Sequence, residues 1–89
     1  MPKQDVMARE YSLWILKHAE KHHQRTGQYL FNSLPQEAGA VIVGTVFDPF
    51  HKDMSQYQVE DWLLHHAIFN DNESIVAIFN NNDMLWERE

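Results

Sequence analysis

The chain has 89 residues but no cysteine, and it contains only three glycines and three prolines. The lack of cysteine excludes a disulfide framework and any thiolate chemistry. Apolar runs such as residues 13–16 and 40–43 fall far short of the roughly 20 residues that a membrane-spanning helix needs. No basic segment leads into an apolar run near the start, so no secretory signal is predicted. A cytoplasmic protein without a membrane partner is therefore expected.

The composition is that of a folded domain. Hydrophobic residues make up 44% of the chain and aromatic residues 12%, which is too rich for a disordered segment. A chain of this length fills only one modest core, so residues 1–89 are predicted to form a single domain. A core of this size leaves a narrow stability margin, which makes a partner or a second copy of the chain relevant.

The charge is unevenly distributed. The formal net charge is −6, and residues 45–89 carry nine acidic side chains against two basic ones, while residues 1–44 are close to neutral. An acidic second half repels nucleic-acid phosphates and favours a basic partner. The alternative interpretation is a solvated acidic face that keeps the protein in solution.

Residues 3–25 predict a long first helix, because they contain no glycine or proline and many good helix formers. Its predicted core face follows i, i+3, i+4 spacing and comprises Met7, Tyr11, Trp14, Ile15, His18 and His22. Val6, Leu13 and Leu16 fall outside that face, so this helix is apolar over much of its circumference, which favours cover on several sides or a partner. Gly27 is the predicted stop.

The middle of the chain allows two interpretations. Ser33-Leu-Pro-Gln36 matches a capping box and predicts a helix over residues 35–43. The β-branched residues within 40–47 favour a strand instead. We prefer the helix, because its cap has a mechanism. Asp48-Pro49 then ends the element, and the flanking Phe47 and Phe50 are expected to point into the core.

Ser55-Gln-Tyr-Gln58 is a second capping box, and it predicts a helix with a buried row from Val59 to Phe69. Residues 74–79 are the best strand, Asn80-Asn-Asn-Asp83 is a tight turn, and residues 84–86 are the returning strand. Residues 67–69 are the candidate for a third strand. The predicted fold class is α+β, mainly helical, with three to four helices followed by a C-terminal β-hairpin.

Six histidines raise the question of a metal site or a histidine-based enzyme. His18 and His22 lie four residues apart, a spacing at which two imidazoles can share an ion. They stay weak candidates, because no His-Glu-x-x-His motif accompanies them. His51 between Asp48 and Asp53 is the candidate for acid–base chemistry, yet these groups suit loop capping equally well. No catalytic residue, no metal site and no cofactor is predicted.

Nucleic-acid binding is a further alternative. Lys17, Lys21 and Arg25 follow each other at four-residue spacing, but three basic charges are a small footprint on a chain of net charge −6. Pairing with glutamates of the same helix is the simpler explanation. Binding to DNA or RNA is therefore expected to be absent or weak.

Binding to another protein is the main prediction. The chain has more aromatic residues than one small core needs, and aromatic side chains are frequent anchors at interfaces. The acidic second half favours a partner with a basic surface, and a homodimer is an alternative. The predicted partner-binding residues are Trp14, Phe50, Tyr57, Asp61, Leu64 and Ile68. Size and acidity suit an inhibitor or adaptor, and by analogy an accessory or anti-defence protein of a phage or mobile element.

Overall fold

The structure is a computed structural model that describes residues 3–89. Within these residues the chain forms four helices followed by a three-stranded antiparallel sheet, which confirms the predicted α+β class. The elements are α1 (Gln4–Lys21), α2 (Thr26–Ser33), α3 (Gln36–Ile42), α4 (Gln56–His66), β1 (Ala67–Phe69), β2 (Ile75–Asn80) and β3 (Asp83–Glu87).

The predicted hairpin is present, and a third strand extends it. Strands β2 and β3 pair in antiparallel register around a turn at Asn81, which adopts a positive φ of 55°. Asparagine tolerates this conformation, as the turn composition predicted. Strand β1 adds to the other edge of β2. Because a lone hairpin is marginal in water, β1 and the helices together stabilise this pair.

Helix α1 ends earlier than predicted, and Gly27 is not its stop. The last turn closes on His23, which has a φ of 55°, with its N–H on the carbonyl of Glu20 and the N–H of Gln24 on the carbonyl of Ala19. These two bonds define a Schellman motif. Gly27 lies buried in α2 instead, where an added Cβ would lie 2.0 Å from the carbonyl oxygen of Pro49. The glycine is required by this close approach.

The helix predicted over residues 35–43 is confirmed, but its predicted cap is wrong. Helix α3 begins after Pro35, and no side chain caps its first turn. Ser33 belongs to α2, where its hydroxyl donates to the carbonyl of Leu30 at 2.8 Å. The same hydroxyl lies 2.8 Å from the hydroxyl of Tyr11. The Ser33 hydroxyl therefore contacts Tyr11 of α1 instead of capping α3, as the local motif had predicted.

The second capping box is confirmed. The Ser55 hydroxyl accepts a hydrogen bond from the N–H of Gln58, and the Gln58 side chain accepts one from the N–H of Ser55. Helix α4 then runs only to His66, so Phe69, predicted as part of the helical row, is buried in β1 instead.

The core lies between the four helices and one face of the sheet. The buried row of α1 comprises Met7, Ala8, Ser12, Ile15 and Ala19. It is therefore rotated away from the predicted face, and Trp14 and His22 of that face lie exposed. Three of these five residues are small, namely Ala8, Ser12 and Ala19, and Ser12 accepts a hydrogen bond from Gln56 of α4. The aromatic side chains Tyr11 and Trp14 lie beside this row and are less buried.

Candidate protein-binding surface

Helices α1 and α4 lie side by side in antiparallel directions. The amide of Gln56, at the start of α4, donates to the Ser12 hydroxyl in the middle of α1 at 2.9 Å. At the other end, the side chain of Gln4 exchanges two hydrogen bonds with the backbone of Phe69. These contacts fix α1 against α4 and the strand that follows it. The outward sides of the two helices therefore lie next to each other.

Four large apolar side chains are exposed on this surface. Val6 and Leu13 lie seven residues apart on α1, and Tyr57 and Leu64 lie seven residues apart on α4. Two helical turns separate the members of each pair, so each pair forms a row along its helix. Between 40% and 76% of each residue is exposed. We call these four residues the α1–α4 face.

Three of the predicted partner-binding residues of α4 fall on or beside this face. Tyr57, Asp61 and Leu64 follow each other at i, i+4, i+7 spacing and all three are exposed. Leu64 and Ile68 both line an apolar groove of about 300 Å³ at the end of α4. The structure thus brings four predicted residues into one region of the molecule.

On α4 the polar side chains next to the face are mainly acidic, whereas Arg9 and Lys17 lie one turn from Leu13 on α1. Asp61 is exposed and lies 3.4 Å from the imidazole of His65, its neighbour one turn on. Glu60 accepts a hydrogen bond from Gln56 at 2.9 Å. The α4 side of the face therefore presents carboxylates around its apolar residues. That distribution is complementary to a basic partner surface.

Trp14 lies on the opposite flank of α1, in a cluster of stacked rings. Its indole ring lies 4.7 Å from His18 and 5.6 Å from Tyr29, measured between ring centroids. His22 also stacks on Tyr29, at 5.6 Å. The other side of Trp14 borders a hollow of about 380 Å³, whose lining residues are Met7, Glu10, Tyr11, Trp14 and Glu73. We call this hollow the Trp14 pocket.

Phe50 lies apart from the other predicted partner-binding residues. It is half-buried in the loop before α4, where its ring meets Phe31 edge-on at 5.5 Å. The guanidinium of Arg25 lies over the same ring at 5.6 Å and donates to the Phe50 carbonyl. Intramolecular contacts therefore cover much of this ring. Arg25 lies outside α1, so the predicted basic strip with Lys17 and Lys21 does not continue along one helix.

The two weak metal candidates take part in aromatic packing. Both imidazoles stack on Tyr29, and Nδ1 of His18 lies 2.9 Å from the Trp14 carbonyl oxygen. Among residues 3–89, no group of three or more histidine, aspartate and glutamate side chains is placed to hold a metal ion. The described residues thus bring His18 and His22 together without a third ligand.

The loop carboxylates considered for acid–base chemistry bind backbone amides. Asp48 accepts hydrogen bonds from the N–H groups of Gly44 and Phe50 at 2.8 and 2.9 Å. Asp53 accepts a longer one, at 3.5 Å, from Thr26 at the start of α2. His51 is exposed and packs edge-on against Phe50. These two aspartates therefore order the loop.

Sequence reasoning missed four residues of the Trp14 pocket as candidates, namely Met7, Glu10, Tyr11 and Glu73. The proximity of Glu10, Tyr11 and Trp14 follows from helical spacing, so a search for acidic and aromatic residues on one helix flank could have found them. Glu73 comes from the turn between β1 and β2. Its position depends on long-range packing, and no local pattern indicates it.

No protein-family model, curated protein or solved structure matches this chain. In the part of the chain that the structure describes, no helix has both the length and the apolar character needed to cross a membrane.

Proposed function

We propose that this protein acts by binding another protein through the α1–α4 face, as an inhibitor or an adaptor. The observation that supports the proposal is the exposure of Val6, Leu13, Tyr57 and Leu64 on two helices that are fixed to each other. Single exposed apolar residues are ordinary on protein surfaces. Two rows on adjacent helices, rimmed by polar side chains, are typical of an interaction surface.

The rigidity of the helix pair favours binding. The hydrogen bonds at Gln56 and Gln4 connect α1 to the start of α4 and to β1, which follows α4 directly. A preorganised surface loses less conformational entropy on association than a loop does. Tyr57 is the expected anchor, because it is the most exposed of the four residues and tyrosine is enriched among residues that dominate binding energy.

The charge next to the face indicates the kind of partner. Asp61 lies within the exposed row of α4, and the whole chain has a formal net charge of −6. Complementary charge increases the association rate and disfavours partners of the same sign. The proposed partner therefore has an apolar patch bordered by basic side chains. Membership of a phage or mobile element stays a prediction from size and composition.

The test compares two variants with the same added charge. Leu13→Lys combined with Leu64→Lys places a cation on each helix of the face, and lysine is a good helix former. Val43→Lys combined with Val46→Lys is the matched control, because both valines are exposed and lie outside α1 and α4. Both proteins are used as baits in the native host lysate, and captured proteins are identified by mass spectrometry.

We expect the parent and the control to capture the same stoichiometric protein, and the Leu13/Leu64 variant to bind it at least about 10-fold more weakly. Thermal melting of each bait checks that the fold is kept. Equal capture by both variants would contradict the proposed surface. A parent that captures no protein but sediments as a dimer would identify a second copy of this chain as the occupant.

A further inference from the structure

The Trp14 pocket combines an aromatic floor with two carboxylates. It lies between α1 and the turn that joins β1 to β2, and its volume is about 380 Å³. Glu10 and Trp14 are one helical turn apart on α1, and Glu73 approaches from the turn. Glu10 also lies one turn from Val6 and from Leu13. The pocket therefore borders the α1 row of the α1–α4 face.

The aromatic floor is held in place by contacts behind it. The hydroxyl of Tyr11 is 2.8 Å from the Ser33 hydroxyl, and its ring packs 5.6 Å from Phe69. Trp14 packs 5.5 Å from Tyr11 and 5.6 Å from Tyr29. Burial raises the pKa of Tyr11, so its phenol stays neutral and keeps this hydrogen bond. The two rings thus offer a fixed surface to a ligand.

The two glutamates make no ion pair with any cation of residues 3–89. Among residues 3–89 the ion pair within 4.0 Å is that of His65 with Asp61, and neither Glu10 nor Glu73 takes part in one. Arg88 lines the adjoining hollow together with Tyr11 and Glu73, yet it makes no ion pair with either glutamate. The negative charge at the pocket is therefore available to a ligand.

The backbone holds Glu73 at the pocket in an uncommon conformation. Its φ is 63°, a region that residues other than glycine rarely adopt. Asn70 fixes the turn, because its side chain accepts hydrogen bonds from the N–H groups of Asn72 and Ser74. The N–H of Glu73 donates to the Asn70 carbonyl at 3.0 Å. The turn thus sets the position of the Glu73 backbone beside the pocket.

We propose that the Trp14 pocket binds an arginine side chain of a partner protein. A guanidinium stacks on the face of an indole ring and pairs with carboxylates through two parallel hydrogen bonds. Lysine suits the pocket less well, since its compact ammonium group neither stacks nor forms a fork. The inference rests on the proposed protein-binding function and adds a charged anchor at the edge of the α1–α4 face.

The test is a titration of the full chain with three blocked tripeptides, acetyl-Gly-Arg-Gly-amide and its lysine and citrulline counterparts. Citrulline has almost the shape of arginine but no charge. Nuclear magnetic resonance follows the indole N–H signal of Trp14, which is assigned by its loss in Trp14→Phe. We expect a saturable shift with the arginine peptide, a weaker effect with lysine and none with citrulline.

Removal of the two pocket charges provides the control within the protein. Glu10→Gln with Glu73→Gln is expected to weaken binding of the arginine peptide by roughly 5- to 30-fold, since exposed ion pairs are individually weak. Glu20→Gln with Glu37→Gln removes the same charge from exposed sites outside the pocket and is expected to leave binding unchanged. A Trp14 shift that is equal for arginine and citrulline, or unchanged in the Glu10/Glu73 variant, overturns the inference.

The two proposals fail in different ways. Leu64→Lys alone changes α4 and leaves the pocket residues and their neighbours on α1 intact, so this variant should bind the arginine peptide normally while binding the partner more weakly. A parent protein that captures a partner but gives no Trp14 shift overturns the arginine site alone. A parent that binds the peptide but captures no protein and stays monomeric overturns the proposed function and leaves the pocket assignment standing.

Discussion

Two tryptophans in this small protein lie in clusters of the same residue types but in opposite environments. Trp62 is 8% exposed and lies with Phe47, His66 and Phe79 where α4 meets the sheet and the preceding loop. Trp14 is 42% exposed and lies with His18, His22 and Tyr29 on the surface. We call these groups the Trp62 cluster and the Trp14 cluster.

The difference lies in how the polar atoms are satisfied. The indole N–H of Trp62 donates to the Phe47 carbonyl at 2.7 Å, and Nδ1 of His66 donates to the Phe79 carbonyl at 3.0 Å. A buried aromatic side chain with a polar N–H needs a hydrogen-bond acceptor, and backbone carbonyls serve as acceptors here. Trp14 packs on Tyr11, His18 and Tyr29 yet stays exposed, and it lines a pocket together with Glu10 and Glu73. Composition alone therefore does not separate a structural cluster from a binding surface.

The largest expected effect in this comparison is that of Trp62→Ala. The substitution removes a buried ring and leaves the Phe47 carbonyl without its donor. Loss of a buried tryptophan costs about 3–5 kcal/mol of the free energy of unfolding. Urea denaturation followed by circular dichroism measures it. A loss below about 1 kcal/mol, the range of surface substitutions, would show that the Trp62 cluster does not hold the fold.

A smaller effect is expected from Gly27→Ala, which reaches the Trp62 cluster through the loop. The new Cβ would lie 2.0 Å from the Pro49 carbonyl oxygen and 2.5 Å from that of Lys52, so α2 and the loop must separate. That loop also carries Phe47, the acceptor for Trp62. Forcing atoms into a packed site costs about 1–3 kcal/mol.

Gly39→Ala is the matched control for this substitution. Gly39 is buried in α3, but its nearest contact to an added Cβ is a Phe31 ring atom at 3.4 Å. Alanine is the better helix former by about 1 kcal/mol. We therefore expect no loss of stability at Gly39. Equal destabilisation at both glycines would mean that the close approach at Gly27 is not the cause.

The pH dependence of stability tests the histidine of the Trp62 cluster, and its effect is expected to be smaller still. Burial lowers the pKa of His66 below its ordinary value of 6.5, because the charged ring is poorly solvated there. The unfolded chain then binds a proton more readily than the folded chain does. Stability is therefore complete above about pH 6.5 and declines as the pH falls from there through the lowered pKa of the folded state.

Melting temperatures between pH 8 and pH 5, chosen to span roughly the ordinary histidine pKa, measure this decline. His66→Asn keeps a donor for the Phe79 carbonyl but cannot titrate, so its melting temperature should depend less on pH. His51→Asn changes an exposed loop histidine and should follow the parent protein. If His66→Asn retains the full pH dependence, another group is responsible for it.

The fold could be predicted from the sequence wherever a local motif decides the structure. The Ser55 capping box was correct, because all its partners lie within four residues. The Ser33 box matched the same pattern but was wrong, since Tyr11 of α1 binds that hydroxyl. Gly27 was wrong as a helix stop for a similar reason, because Pro49, far along the chain, requires a glycine there. Long-range contacts therefore give Ser33 and Gly27 roles that differ from those the local pattern predicted.

Only part of the candidate site could be predicted from the sequence. Tyr57, Asp61 and Leu64 were found because they share one flank of a helix, and helical spacing is a local property. Helical spacing could have assembled only the α1 part of the Trp14 pocket. Glu73 approaches α1 only when the sheet packs against the helices, and its positive φ follows from the Asn70 turn. One of the five residues of the pocket is therefore placed by the tertiary structure.

The smallest effect on stability is expected at the tryptophan of the surface cluster. Trp14→Ala removes a half-exposed ring whose indole packs on Tyr11, His18 and Tyr29. The free energy of unfolding should fall by about 1 kcal/mol or less, because surface sites contribute little and aromatic pairs add modestly. The same substitution at Trp62 is expected to cost several times more, which makes the pair of alanine variants the direct test of the comparison.

The affinity for the arginine peptide should show the reverse order, with the larger loss in Trp14→Ala. Since Trp14→Ala deletes the indole signal, the Glu73 amide signal reports the arginine peptide in this variant, and we expect its shift to be lost. Trp14→Phe keeps a ring and should retain part of the affinity, as phenylalanine is a weaker partner for a cation than tryptophan. If Trp14→Ala destabilises the protein as much as Trp62→Ala does, the Trp14 ring contributes to the stability of the fold. One that is stable and still binds the peptide would exclude the indole from the site, because only the carboxylates would then account for the affinity.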